Sequence, residues 1–104
     1  MRTEEDIRAL LVKLKEGDPS LLGVQLGRLC VEANLPVVYV AEALEVSRNT
    51  VHLWFRGQVM NEAKRKVVEA FMYLVEEDMK NGVLPAINIK HAKSYIEGMI
   101  GKSV

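Results

Sequence analysis

The sequence predicts an all-α fold, a compact bundle of five or six helices. Apolar residues recur at spacings of three and four along nearly the whole chain, as expected for amphipathic helices. Most of these segments begin after Ser, Thr, Asp or Asn and end near Gly or Asn, the usual start and stop signals of helices. No alternating run of β-branched residues indicates a strand. With 104 residues, the chain is expected to form one helical domain over 1–104.

The first two helices are predicted over Glu4–Glu16 and Pro19–Ala33. Thr3 is an N-cap for the first helix, whose acidic first turn suits the positive end of the helix dipole. Asp18 caps the second helix, and Asn34 is expected in the left-handed conformation that ends it. The apolar stripes comprise Ile7, Leu10, Leu11 and Leu14 in the first helix and Leu22, Leu26, Leu29, Cys30 and Ala33 in the second.

Two short helices are predicted next, over Pro36–Leu44 and Arg48–Arg56. Ser47 is the N-cap of the second of these helices, and Gly57 ends it. Only residues 45–47 connect the two helices. Because the connection is so short, the chain must turn sharply between them.

Two C-terminal helices are predicted over Asn61–Asn81, ending at Gly82, and over Ile89–Ile100, capped by Asn88. The longer helix is expected to pack on the core through Met60, Ala63, Val67, Ala70, Phe71 and Leu74. Val68, Met72, Val75 and Met79 widen this stripe, and Ile89, Ala92, Ile96 and Met99 are expected to point inward from the last helix. A stripe this broad predicts that the segment 61–104 forms a homodimer or larger oligomer, unless the last helix covers the excess.

The formal net charge is zero, but it is unevenly distributed. Between Ser47 and Lys66, five Arg or Lys residues oppose one Glu, a local charge of +4 that the rest of the chain balances. The net charge of zero disfavours a protein that coats nucleic acid by charge alone. The local basic patch, in contrast, is compatible with a contact to nucleic acid.

Cysteine and histidine usage excludes several kinds of site. Cys30 is the only cysteine, so no internal disulfide can form, and with two histidines no metal cluster is expected around it.

No apolar run approaches the length of a membrane span, and the acidic N-terminus is not typical of a signal peptide. No catalytic set or phosphate-binding loop is evident. We therefore expect a cytoplasmic, non-enzymatic protein without cofactor, metal or membrane partner.

The most informative segment runs from about Leu35 to Gly57. Ala41 supplies the small residue needed where the two short helices cross. The residues with the spacing to hold these helices together are Val40, Leu44, Val46, Val51 and Trp54. The second helix has a capped and polar first turn, Ser47-Arg48-Asn49-Thr50, of the kind that enters the major groove. The segment is therefore typical of a helix-turn-helix, whose core we expect over 20–66.

This segment resembles the Cro and phage-repressor (XRE-type) helix-turn-helix domains. The matching positions are Val46-Ser47-Arg48-Asn49-Thr50-Val51, then Trp54, Arg56 and Gly57, with Arg28 in the preceding helix. The resemblance covers about 25–66 and implies a compact domain of four or five helices that binds operator DNA, usually as a symmetric dimer. Three positions depart from the family pattern. Glu45 stands where the turn usually has glycine, Val37 where a phosphate-contacting glutamine is usual, and Phe55 where glutamate is frequent.

The resemblance implies DNA contacts by the second helix of the motif and the basic residues after it. Arg48 and Asn49 are the expected base readers, since arginine pairs with guanine and asparagine with adenine through two hydrogen bonds each. Thr50 is expected either to contact phosphate or only to close the cap. The remaining candidates are Ser47, His52 and Leu53 on the same helix and Arg56, Lys64, Arg65 and Lys66 as phosphate contacts. The alternative interpretation of the basic residues and of His52 is a solvated surface.

The leading functional hypothesis is a sequence-specific transcriptional regulator of bacterial or phage type that binds double-stranded DNA. The first alternative is an adaptor or inhibitor that keeps the fold but binds a protein partner, for which an exposed Val37 or Phe55 would be a contact. The second is the DNA-binding module of a phage packaging assembly, such as a small terminase subunit. A winged helix carries a similar motif but needs a β-hairpin after it, where 61 onward reads as helix.

Overall fold

The computed structural model describes residues 21–104, which form five α-helices and no strand. The helices are α1 (Leu22–Glu32), α2 (Val37–Leu44), α3 (Arg48–Phe55), α4 (Glu62–Lys80) and α5 (Ile89–Ile100). The all-α prediction is confirmed, and α4 begins within the segment where a winged helix would have its hairpin. The helix predicted over Glu4–Glu16 and the first residues of the next lie outside the described residues.

Local capping signals mark the starts of three helices. The caps Ser47 and Asn88 were predicted, whereas Asn61, predicted as the first residue of its helix, is the N-cap that precedes it. Ser47, Asn61 and Asn88 are the N-caps of α3, α4 and α5, and each side-chain oxygen accepts a hydrogen bond from the backbone N–H three residues on, at 2.8 to 3.1 Å. Just past the end of α4, Gly82 has a positive φ of 78°, the left-handed conformation that favours glycine. Asn34 adopts the left-handed conformation expected of it, with φ 57°. These local signals therefore mark the starts of α3, α4 and α5 and the ends of α1 and α4.

A single hydrophobic core lies between the helices. Helix α1 packs against α3 and α4, and α2 packs against α3, α4 and α5. The largest fully buried side chains are Leu26, Val40, Leu44, Val51, Val68, Val75 and Ile96. They come from all five helices, so every described helix depends on the others for its burial.

Helices α1 and α3 approach each other closely at two glycines of α1. A Cβ atom added to Gly23 would lie 2.1 Å from the carbonyl oxygen of Trp54, and one added to Gly27 would lie 3.1 Å from the ring of Phe55. No side chain fits between the two backbones at Gly23. The helices α1 and α3 can therefore approach this closely only because the residue there is glycine. Sequence analysis assigned no role to either glycine.

The face of α4 that packs on the core differs from the prediction. Val68, Phe71, Met72 and Val75 are buried, whereas Val67 and Leu74 are 44 % and 47 % exposed. Ala63 and Ala70 are exposed as well, and Met79 is partly buried. The prediction that Ala63, Val67, Ala70 and Leu74 pack inward was therefore wrong, and so was the expectation that Val68, Met72 and Val75 are available to a second copy. The physical reason is area: two members of the expected stripe are alanines, and burying the larger side chains beside Phe71 removes more apolar surface from water.

Helix α5 packs through Ala92 and Ile96, both fully buried as predicted, and Met99 is partly buried. Ile89 is 68 % exposed, so its predicted inward position was wrong. It is the first residue of the helix, next to the N-cap, where the chain has just left the core contact made by Ala86. The hydroxyl of Tyr95 donates a hydrogen bond to the Asp78 carboxylate and so joins α5 to the end of α4.

Candidate nucleic-acid interface

The turn between α2 and α3 determines the direction of α3. Glu45 has φ 56° and ψ 45°, the left-handed conformation expected at a position where glycine is more usual. The N–H of Val46 donates to the carbonyl of Ala41 at 3.1 Å, which closes the end of α2. Ala41 is 3 % exposed, so α2 can pack closely through it. The chain therefore reverses within the three residues 45–47 and starts α3 at once.

Helix α3 is held by one side and exposed on the other. Val51 and Trp54 are buried at 0 % and 4 % exposure. Because residues three and four apart share a side of a helix, the opposite side presents a different set. Arg48, Asn49, His52 and Arg56 are all exposed there, and we call these four residues the outer face of α3. The structure thus brings together four of the ten predicted contact residues on one surface.

Ser47 and Thr50 are engaged in the N-cap of α3. The Thr50 N–H donates to Ser47 Oγ at 3.1 Å, and the two hydroxyl oxygens lie 3.0 Å apart at hydrogen-bond distance. Thr50 and Leu53 are half-buried rather than exposed. The hydrogen bonds of Ser47 and Thr50 therefore hold the first turn of α3 in place, and Leu53 is only partly accessible beside the outer face.

The outer face of α3 is electropositive. Arg48 and Arg56 carry its charge, and α3 itself contains no acidic residue. The positive end of the helix dipole adds to this charge at Arg48. The acidic residues within six positions of the outer face are Glu42, Glu45 and Glu62, and all three are exposed. The rings of His52 and Phe55 meet edge-on at 6.1 Å between centroids, an arrangement that orients the histidine.

The three consecutive basic residues at the start of α4 have three different environments. Lys64 Nζ donates to the carbonyl oxygen of Leu44 at 2.8 Å, so it satisfies one of the backbone acceptors left over at the end of α2. Arg65 Nε pairs with Glu69 Oε1 at 2.9 Å. Lys66 is exposed, and it makes no ion pair with another residue of the described range. Of the three, Lys66 is the best placed to reach a phosphate.

An apolar groove of about 310 Å³ lies beside the outer face, between α1, α2 and the end of α3. It is lined by Val31, Val37 and Phe55 among others. Val37 and Phe55 are partly buried against the core, so neither is the freely exposed residue that a protein contact would use. Val31, in contrast, is 81 % exposed. The groove therefore offers one prominent apolar side chain at the edge of the α3 surface.

Other chemistry has little support in the described residues. Cys30 is 3 % exposed, and its burial raises the pKa of the thiol to about 12, so it is not a nucleophile at neutral pH. Within residues 21–104, no three His, Cys, Asp or Glu side chains are grouped as a metal site would require. None of the five described helices combines the length and hydrophobicity needed to cross a membrane.

Comparison with models of known protein families, with curated proteins and with solved structures finds no match to this chain.

Proposed function

We propose that this chain is a sequence-specific DNA-binding protein, a transcriptional regulator of bacterial or phage type, that inserts α3 into the major groove. The observation that carries the proposal is the outer face of α3. Its exposed side chains are two arginines, an asparagine and a histidine, on a helix with no acidic residue. An exposed helix of eight residues, capped at its start and backed by a close-packed core, is the type of element that reads base edges.

Each residue of the outer face has a proposed role. Arg48 and Asn49, in the first turn, read bases, because their side chains can each make two hydrogen bonds to one base edge. Arg56, one helix length away, binds a phosphate at the groove margin. Lys64 supports the interface by holding the end of α2 through Leu44, and does not contact DNA itself.

The proposal is tested by selecting bound sequences from a random duplex library and measuring affinity for the selected site at two salt concentrations. Arg48→Ala and Asn49→Ala should each weaken binding to the selected site and relax the preference at one base position. Lys102→Ala is the matched control, since it removes an exposed positive charge outside α3. If selection enriches no sequence, or if all three variants lose affinity equally, α3 does not read bases.

A protein partner is the second candidate, favoured by the groove that contains Val31. A side chain that is 81 % exposed at the edge of an apolar groove is a plausible anchor for another protein. Val31→Asp should leave the affinity for DNA nearly unchanged if the groove serves a protein. A chain that selects no DNA sequence, but whose activity in its host is lost with Val31→Asp, would favour this candidate over DNA recognition.

A further inference from the structure

An apolar stripe remains exposed along α4. Ala63, Val67, Ala70 and Leu74 follow one another at spacings of four, three and four residues, so they line one side of the helix. All four are exposed, and Val67 and Leu74 keep 44 % and 47 % of their surface in contact with solvent. We call this set the α4 stripe. Its spacing is the one that lets two helices pack along their length.

The α4 stripe continues into a groove at its C-terminal end. Leu74 lines this groove of about 450 Å³, together with Tyr95, Gly98 and Met99 of α5. Gly98 leaves the groove open, because a Cβ atom there would have no neighbour within 4 Å. The exposed apolar surface is therefore continuous from Ala63 to the space between α4 and α5.

The charges beside the α4 stripe are complementary between its two ends. Lys66 and Glu77 are eleven residues apart, which on an α-helix is three turns plus about 20°, and a rise of about 16 Å. They therefore flank the same side of the stripe, with a positive charge at one end and a negative charge at the other. Lys80 Nζ lies 3.5 Å from Glu77 Oε1, but the Lys80 side chain is 72 % exposed, so this pair is weak.

We propose that the α4 stripe binds a second copy of this chain, with the two α4 helices antiparallel about a two-fold axis near Ala70. In this arrangement Val67 packs against Leu74 of the partner subunit, and Lys66 lies beside Glu77 of the partner subunit. The two-fold axis produces each contact twice. A parallel two-fold arrangement would instead place each flank of the stripe beside the opposite flank of the partner subunit, so Lys66 and Glu77 would meet no charge of this set, and only the antiparallel arrangement pairs them. The small side chains of Ala63 and Ala70 allow the helices to approach closely.

Charge reversal tests both the surface and the direction of pairing, with sedimentation velocity on the full chain between roughly 1 and 100 µM. The wild type should sediment as a dimer. Lys66→Glu and Glu77→Lys should each raise the dissociation constant about tenfold, because each converts two attractive pairs into two repulsive ones. An equimolar mixture of the two variants should recover the dimer, since every pair between unlike chains is again attractive. Glu76→Lys is the matched control, because Glu76 is exposed about 160° around the helix from Leu74 and should leave the dimer unchanged.

A second pair of variants tests the apolar part of the contact. Leu74→Asp should abolish the dimer, whereas Val83→Asp should not, although Val83 is as exposed as Leu74, at 46 %. Circular dichroism would verify that both variants keep the helical content of the wild type. A wild type that remains monomeric at 100 µM would overturn the proposal and leave the stripe to another occupant, such as the segment 1–20. A dimer that the charge mixture does not restore, or that Leu74→Asp leaves intact, would overturn it too.

This proposal does not rest on DNA binding. A chain that dimerises through α4 but selects no DNA sequence would refute the proposed function alone. A monomer that still selects a sequence would refute only the pairing of the α4 stripe.

Discussion

Replacing Gly23 with alanine should destabilise the protein, although alanine is the better helix former. The added Cβ would lie 2.1 Å from the Trp54 carbonyl oxygen and 2.5 Å from the carbonyl carbon. An ordinary contact between such atoms is about 3.3 Å, so α1 and α3 would have to separate by roughly 1 Å. Both of the crowded atoms belong to the backbone of α3, and no side chain can rotate away to relieve the overlap.

The size of the effect follows from two opposing contributions. Alanine gains about 1 kcal/mol over glycine in a helix interior, and this is the upper limit of the gain at Gly23, the second residue of α1. Forcing an extra methyl group into a close-packed contact costs typically about 1–3 kcal/mol, and this overlap is at the severe end. We therefore expect Gly23→Ala to lose about 2 kcal/mol net. Gly98→Ala is the matched control: Gly98 also lies inside a helix, but its Cβ would meet no atom within 4 Å, so this variant should gain about 0.5–1 kcal/mol.

Urea unfolding measures both variants, with far-ultraviolet circular dichroism and the fluorescence of Trp54, the single tryptophan, as probes. All proteins must be compared at one concentration, because self-association would add to the measured stability. With a slope of about 1–3 kcal/mol per molar urea, the midpoint should fall by about 0.7–2 M for Gly23→Ala and rise by about 0.2–1 M for Gly98→Ala. A Gly23→Ala variant as stable as the wild type would refute the inferred close approach of α1 and α3, as would equal stabilisation by both substitutions.

Four further outcomes are expected. Arg48→Ala and Asn49→Ala should each cost about 1–3 kcal/mol at the selected DNA site and less at unrelated sequences, measured by fluorescence anisotropy. Lys64→Met should lower the free energy of unfolding in urea by about 1 kcal/mol, because the hydrogen bond to the Leu44 carbonyl is lost. The salt dependence of DNA binding should stay unchanged, and a flatter dependence would reveal a phosphate contact by Lys64. Glu45→Gly should raise the stability by about 1 kcal/mol, because the left-handed conformation costs glycine least; a decrease would argue against the turn. The Cys30 thiol should react with a thiol reagent only as fast as the protein opens, and rapid labelling of the native protein would contradict its burial. Because burial raises the pKa of this thiol from 9.0 to about 12, the stability that the protonated thiol contributes should be present below about pH 9 and lost as the pH rises toward 12.

The parts of the fold that depend on neighbouring residues in the chain could be predicted from the sequence. Ser47, Asn61 and Asn88 cap helices because a short polar side chain reaches the N–H three residues on, whatever the rest of the fold does. The left-handed residues Asn34 and Glu45 follow from the same local logic, since the chain has only four residues between α1 and α2 and three between α2 and α3 in which to turn. The exposed residues of α3 were likewise predictable from helical periodicity around Val51.

The parts of the fold that depend on contacts between helices distant in sequence could not be predicted from local sequence patterns. Periodicity gave α4 two adjacent apolar stripes, and only the positions of α1, α2 and α5 decide that Val68 and Val75 are buried while Val67 and Leu74 are not. Gly23 looked like an unremarkable residue in a helix, because its role depends on the backbone of Trp54, 31 positions later. The residues around Gly23 in α1 and around Gly98 in α5 do not show which of the two glycines is packed against another helix.

Contacts between distant parts of the chain also change how the basic residues near α3 are interpreted. In sequence, Lys64, Arg65 and Lys66 form a basic run beside the predicted recognition helix, and a run of this kind suggests a phosphate contact. In the fold, the end of α2 leaves carbonyl groups without helical partners, and the side chain of Lys64 reaches the carbonyl of Leu44 across the turn. Arg65 is partly neutralised by Glu69. A positive charge close in sequence to a binding helix can therefore hold that helix in position and not touch the ligand at all, and only the acceptor that it faces distinguishes the two roles.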